Sequence, residues 1–245
     1  RFGGDKNLAK CIKKNSVVVS AAASNSISAG RPPHVGTSSF GEDPKPFLYS
    51  YDGVLNNVKL LEDAAVGNGI TSTAPEVDGL VRRLPLVFNI NNTLYPSFGI
   101  EILRAATGSR SYTLKTKETG VEALRVRGIA PITTDSNARI WTYWNTNFTR
   151  ISARDYMQNP IPAPVTLIGV TAKGASTLIA TPDGLKAPHE IQAAAVSTLL
   201  QGNNIARPDW ADGAELLAIL IALVLIGLLS FKLYLSIPVF LSVVL

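Results

Sequence analysis

The side chains most able to do chemistry in this chain are a few dispersed ions. Asp78, Asp135, Asp155 and Glu190 are the candidate acids, and Arg82 and Arg83 are the adjacent cations best suited to an anion. On an extended strand successive side chains point to opposite faces, so one arginine is expected on each face. One of them could meet an anionic ligand or a lipid headgroup; the competing reading is a solvated face or a structural ion pair. Spacing alone brings no two of the acids together. Asp78-Gly79 reads as a turn ahead of a strand, and Asp135-Ser136-Asn137 as a turn between strands. Trp141, Tyr143 and Trp144 could line a pocket or pack a core. The ligand-binding candidates are therefore Arg82, Arg83, Asp135, Trp141 and Glu190.

Other chemistries find little support. The chain has no Gly-x-Ser-x-Gly elbow and no His-Glu-x-x-His pair, so no catalytic residue is assigned. Gly169-Val170-Thr171-Ala172-Lys173-Gly174-Ala175-Ser176 follows an apolar run as a phosphate loop would. Its lysine precedes the second glycine instead of following it, which fits a tight strand-to-helix turn better. The single cysteine, Cys11, has no disulfide partner, and His34 and His189 are far apart, so neither a metal nor a cofactor is expected. Cys11 reads as a small buried apolar residue on a helix.

The elements that would position these residues are mixed. Asp5–Lys14 carries Leu8, Cys11 and Ile12 at helical spacing and stops at Asn15, and Val17–Val19 reads as a short buried strand. Helix followed by buried strand suggests an α/β layer. The Ser-, Gly- and Pro-rich stretch Ser24–Lys45 reads as an irregular loop. Asn57–Val66 has a helical stripe of Val58, Leu61 and Ala65. Strands are expected over Gly69–Thr73 and Gly79–Asn89, the second with an edge or bulge at Pro85. Pro96 suits the first turn of a helix that buries Phe98, Ile102, Leu103 and Ala106. Ser111–Val126 is strand-rich, and Arg139–Trp144 alternates. Ser152 is placed to cap a short helix through Met157. Val165–Val170 reads as a buried strand of parallel type. Glu190–Leu200 reads as a helix with Ile191, Ala194, Ala195, Leu199 and Leu200 inward. Arg207-Pro208 leads out of it.

The formal net charge is +5, and Lys232 and Glu215 cancel, so the excess lies ahead of the C-terminal tail. Such a modest excess suits an anionic membrane surface. Nucleic acid is not expected, because the basic residues form no long run with interleaved aromatics. Leu216–Phe231 is sixteen residues without a charge. Extended back to Ala214 it makes a helix of roughly 27 Å at about 1.5 Å per residue, against a bilayer core of about 30 Å. Asp209, Asp212 and Glu215 precede it, Trp210 stands where an interfacial aromatic belongs, and Lys232 follows at once. The alternative is a buried helical hairpin in a soluble core. A second apolar run, Leu233–Leu245, is expected after a tight turn at Lys232, and that lysine puts the turn on the cytoplasmic side. The opening Arg1-Phe2-Gly3-Gly4 reads like the middle of a longer protein.

The order of motifs resembles the second CHASE family, the cyclase/histidine-kinase-associated sensory extracellular domains. The matching pieces begin with Asp78-Gly79-Leu80-Val81-Arg82-Arg83-Leu84-Pro85-Leu86 and Tyr95-Pro96-Ser97. Pro131–Asp135 and Ile151-Ser152-Ala153-Arg154-Asp155-Tyr156 follow. Then come Val165–Ala172 with Ala180-Thr181-Pro182, Pro188-His189-Glu190-Ile191-Gln192-Ala193 and Thr198-Leu199-Leu200. The resemblance covers roughly Asp5 to the C-terminus. It departs where the glycine usual before Glu190 is missing, where Gln192 replaces a common histidine, and in lacking the family's N-terminal membrane helix and first αβ segment.

The resemblance implies a mixed α/β extracytoplasmic sensor domain with C-terminal transmembrane helices, in a bacterial inner membrane with the soluble part on the periplasmic side. Residues 1–213 form that domain, N-terminally incomplete; 214–231 are a transmembrane helix, and 233–245 begin a second. A cytoplasmic output, a nucleotide cyclase or kinase, is expected beyond the chain. The expected partners are the lipid bilayer, a second copy or other membrane-complex subunits, and a small-molecule ligand that the residues do not specify. The alternative role is a non-catalytic structural subunit of a larger membrane assembly.

Overall fold

A computed structural model describes residues 2–244 apart from 27–29, 34, 145–147, 173, 175, 203–204 and 206–209; side chains are described up to Phe231, Phe2 excepted. The chain divides into a unit of Arg1–Ala206 and a unit of Arg207–Leu245. His34, Lys173, Arg207, Pro208 and Asp209 lie outside the described residues.

Helix α1 (Phe2–Lys14) turns Ala9 and Ile12 inward, while Leu8 is half exposed. The buried stripe is thus rotated from the expected Leu8, Cys11 and Ile12, and Cys11 is a free, exposed thiol instead of a core residue. The backbone N–H and side-chain amide of Asn15 both donate to the Cys11 carbonyl, at 3.2 and 2.8 Å, and end the helix. Strand β1 (Val18–Ser24) follows, with Val18 and Val19 only half buried. The stretch expected to be irregular contains β2 (Gly36–Gly41), a mostly exposed strand of glycine, threonine, serine and one phenylalanine held by backbone pairing. Then come β3 (Ser50–Tyr51), β4 (Gly53–Leu55), the single turn α2 (Lys59–Glu62) and β5 (Gly67–Ile70). α2 turns Glu62 inward; of the expected stripe Val58 is exposed, while Leu61 and Ala65 are half buried.

The strand expected over Gly79–Asn89 is two, β6 (Arg83–Pro85) and β7 (Val87–Ile90), broken at Leu86 beside the proline. β8 (Thr93–Pro96) returns on β7 through Asn91 and Asn92, both with positive φ. Pro96 ends this strand and does not open the helix. Ser97 is the cap of α3 (Phe98–Ala106), its hydroxyl accepting from the Ile100 N–H at 3.4 Å. The remaining elements are β9 (Ser111–Lys117), β10 (Gly120–Val126), β11 (Ile132–Thr133), β12 (Arg139–Trp141), α4 (Ala153–Gln158), β13 (Ile179–Thr181), β14 (Gly184–Lys186) and α5 (Pro188–Gln201). Ser152 caps α4 as its position suggests.

β1 is the middle strand of β4-β1-β5, antiparallel to β4 and parallel to β5. β9 and β10 form a hairpin in the sheet β11-β10-β9-β2, with β2 parallel to β9. β7 lies between β3 and β8, β6 pairs with β12, and β13 with β14. The main core joins Leu86, Ile100, Leu103, Tyr112, Leu114 and Leu124 between α3 and the β9–β10 hairpin. A second cluster gathers Ala21, Val54, Ile70, Phe88 and Ile90. The third sets Val81 and Leu84 against Ile191 and Ala195 of α5. Leu200, expected inward, is half exposed; Gln192, Val196 and Thr198 take inward places on α5. The architecture is mixed α/β, as the helix-and-strand pattern implies.

Val165–Val170 is not a strand: Ile168 is 94% and Val170 61% exposed. An apolar run asks for cover but does not supply a neighbour, and this segment pairs with no strand of the described sheets. In the second unit α6 (Ala211–Val244) is one continuous helix that passes through Lys232, so the expected turn there is absent. Its apolar side chains from Leu216 to Phe231 are exposed, and Ala211–Phe231 is long and apolar enough to cross a membrane.

Candidate functional site

The segment between β5 and β6 folds back on the start of β6. The Glu76 N–H donates to the Leu80 carbonyl at 2.9 Å, and the Gly79 N–H to the Glu76 carbonyl at 2.8 Å. Gly79 has φ +80°, a conformation that favours glycine, and Asp78 Oδ1 accepts from the Leu80 N–H at 3.1 Å. This is the Asp-Gly turn expected from the sequence. It aims two carboxylates at the arginines that follow.

Those arginines do not diverge. Arg82 precedes the paired residues of β6, and both guanidiniums reach Glu76. Arg83 Nε donates to Glu76 Oε1 at 2.7 Å, and Arg82 Nη1 to Glu76 Oε2 at 3.3 Å. Arg82 also grips Asp78 through Nη1 at 2.9 Å and Nη2 at 2.6 Å. Arg83 Nη1 continues to Asp135 Oδ2 at 3.1 Å, and Arg139 Nε meets the same oxygen at 2.7 Å. Acid and base alternate along the row Asp78, Arg82, Glu76, Arg83, Asp135, Arg139, so the row is neutral overall. Aromatics back it: the Arg83 guanidinium stands 5.1 Å from the Trp141 ring centre, and that of Arg139 lies 5.9 Å from Tyr49 and donates to its hydroxyl at 3.0 Å.

Two sequence elements fix this geometry. β6 and β12 pair with Trp141 opposite Arg83 and Arg139 opposite Pro85, which brings together residues more than fifty positions apart. Asp135 accepts from the N–H groups of Asn137 and Arg139, at 3.1 and 2.9 Å, so the turn expected there also holds the carboxylate in place. The row borders an open cleft of about 480 Å³ lined by Tyr49, Pro75, Val77, Arg139 and the acid–arginine pairs.

The electrostatics follow from the pairing. Asp78 is held at about 2, below its ordinary 3.8, first by the Arg82 hydrogen bonds and then by the Leu80 N–H. Glu76 is also lowered, mainly by the hydrogen bond from Arg83. The Arg82 guanidinium is raised by Asp78.

Of the five candidate ligand residues, Arg82, Arg83, Asp135 and Trp141 come together. Glu190 does not: its Oε1 accepts from Arg150 Nε at 2.9 Å and its Oε2 from the Ala187 N–H at 3.0 Å, at the start of α5. These contacts, the Ala187 N–H foremost, lower its affinity for protons. Asp155 is engaged with Ser152 at the cap of α4. Tyr143 and Trp144 are not in the row; Trp144 packs on the third core cluster. The residues that the sequence left unmarked are Glu76, Arg139 and Tyr49. Glu76 is six and seven positions before the arginines, and Arg139 four after Asp135, a spacing that could have signalled them. Tyr49 carries no local signal. Among the described residues no group of acids, histidines and cysteine is arranged to hold a metal ion.

Two other acids, Glu62 and Glu101, are fully buried. Glu101 pairs with Arg104, Nε to Oε2 at 2.9 Å and Nη2 to Oε1 at 2.9 Å. Glu62 accepts from Arg31, from Asn56 at 2.9 Å and from Asn68. Both acids lie against β5, and their bonds are internal, so they serve the core.

A family model described as the CHASE2 domain matches residues 1–229. No curated protein matches, and no solved structure matches.

Proposed function

The chain belongs to the CHASE2 family, an extracellular sensory family of signalling receptors, and on that premise we propose that it senses a small molecule outside a bacterial inner membrane. The carrying observation is the coupling of this family match to a helix, Ala211–Phe231, able to span a bilayer. In this reading the soluble unit is periplasmic and α6 anchors it. A shift in the domain passes along α5 towards a cytoplasmic cyclase or kinase domain beyond the chain. A ligand drives such a shift by binding one of two states better than the other. The sensing surface is the acid–arginine cleft, an open polar feature of about 480 Å³ lined by Arg82 and Arg83 of the candidate residues.

Intact mass and sequencing of the native polypeptide test the coupling. The expected result is a longer chain with a catalytic output domain after Leu245. A chain that stops soon after Leu245 would leave a sensor without an output. That result would favour the second reading, a structural subunit of a membrane assembly. The bare apolar segment with Ile168 and Val170 supports that alternative, because exposed apolar patches commonly mark contact with another chain.

A further inference from the structure

Glu76 occupies a position that an external ligand would want. Its two oxygens are divided between two guanidiniums, Oε1 on Arg83 and Oε2 on Arg82. Planar guanidinium forks recognise carboxylates and other oxyanions by such paired bonds. The segment that brings Glu76 there is otherwise held by its own turn bonds and by Asp78 on Arg82, and Val77 at its tip is fully exposed. Arg82 and Arg83 are not deep in the core; their side chains keep 29% and 23% of their exposure and face an open cleft.

We propose that Arg82 and Arg83 form a binding cradle for a small oxyanion, a carboxylate or a phosphate, and that Glu76 is its internal occupant, displaced when the ligand binds. The ligand's oxygens take over the bonds from Arg83 Nε and Arg82 Nη1. Arg139 and the Tyr49 hydroxyl border the rest of the cleft. Exchange of one carboxylate for another leaves the charge of the row unchanged. Its consequence is mechanical: residues 75–80 lose the hold of Glu76, and the Arg83 guanidinium shifts over Trp141. This deepens the sensory reading of the same cleft and rests on it for its purpose. Binding is measured on the chain itself, so its failure is distinct from a failure of the location or output proposed above.

The test is a titration of the full chain in neutral detergent with succinate and, separately, inorganic phosphate, at constant ionic strength balanced with chloride. The wild type is expected to show a saturable change in tryptophan emission that is lost in Trp141→Phe. Glu76→Gln removes the competing charge and is expected to bind at least one of the two anions about tenfold more tightly. Arg83→Gln in that background abolishes binding. If carboxylate alone saturates, the cradle is for carboxylates; if phosphate alone, for phosphate esters or headgroups. A wild type that gives no saturable signal with either anion overturns the proposal. So does a folded Glu76→Gln that binds no more tightly than the wild type. Should Glu76→Gln not fold, the wild-type and Trp141→Phe titrations decide the matter.

Discussion

Asp78 and Glu76 give up protons more readily in the fold than free in water, because arginine N–H groups bond their ionised forms. A carboxylate with a depressed folded value adds stability that is complete above its unfolded value and fades as the pH falls. Acid titration is therefore expected to weaken the fold from about pH 4.5, the ordinary value of Glu76, with the Asp78 contribution lost between 3.8 and about 2. Unfolding followed against pH checks this: Asp78→Asn should flatten the lower part of the curve, and an unchanged curve would refute the pairing. Arg83→Met removes bonds to both Glu76 and Asp135 and the contact with Trp141. It should cost about 1–2 kcal/mol, a partly solvated network being weaker than a buried one, as read by urea denaturation. At this scale the sequence marks the arginines, Asp135 and Trp141. It misjudges the direction of Arg82, because alternation holds only inside a strand and β6 begins at Arg83.

β5 shows how an element carries its neighbours. Its sequence Gly67-Asn68-Gly69-Ile70 is buried throughout. A Cβ on Gly67 would overlap the Glu101 carboxylate, and one on Gly69 would overlap the Phe98 backbone at the start of α3. The two glycines thus let α3 lie directly on the strand, and Asn68 between them bonds Glu62. Gly67→Ala and Gly69→Ala should each destabilise the domain by about 1–3 kcal/mol, Gly69→Ala more because backbone cannot move aside as a side chain can. Gly4→Ala, on α1 with nothing within 4 Å, should be neutral or stabilising. Chemical denaturation of the three variants distinguishes these outcomes. Helices α3, α4 and α5 are legible because periodicity, and for α4 the Ser152 cap, are local signals; Ser111–Val126 reads only as strand-rich, without the turn that makes it the β9–β10 hairpin. The strand β2 and the unpaired state of Val165–Val170 are not legible. Each depends on whether a distant edge is available, which no local pattern encodes.

Across the whole molecule, the mixed α/β class and the apolar C-terminal run are plain in the sequence, because both rest on composition and period. The continuity of α6 through Lys232 is not, since one lysine neither breaks a helix nor requires a turn. The sensory reading places the first unit outside the membrane, and the chain carries its own probe of that placement. Cys11 is the single cysteine, and it is free and exposed. The most direct measurement is labelling of the full chain with a membrane-impermeant maleimide in intact bacterial spheroplasts, with Cys11→Ser as the blank. The expected result is full modification without lysis. Modification only after the membrane is opened would put the domain in the cytoplasm and contradict its role as an extracytoplasmic sensor.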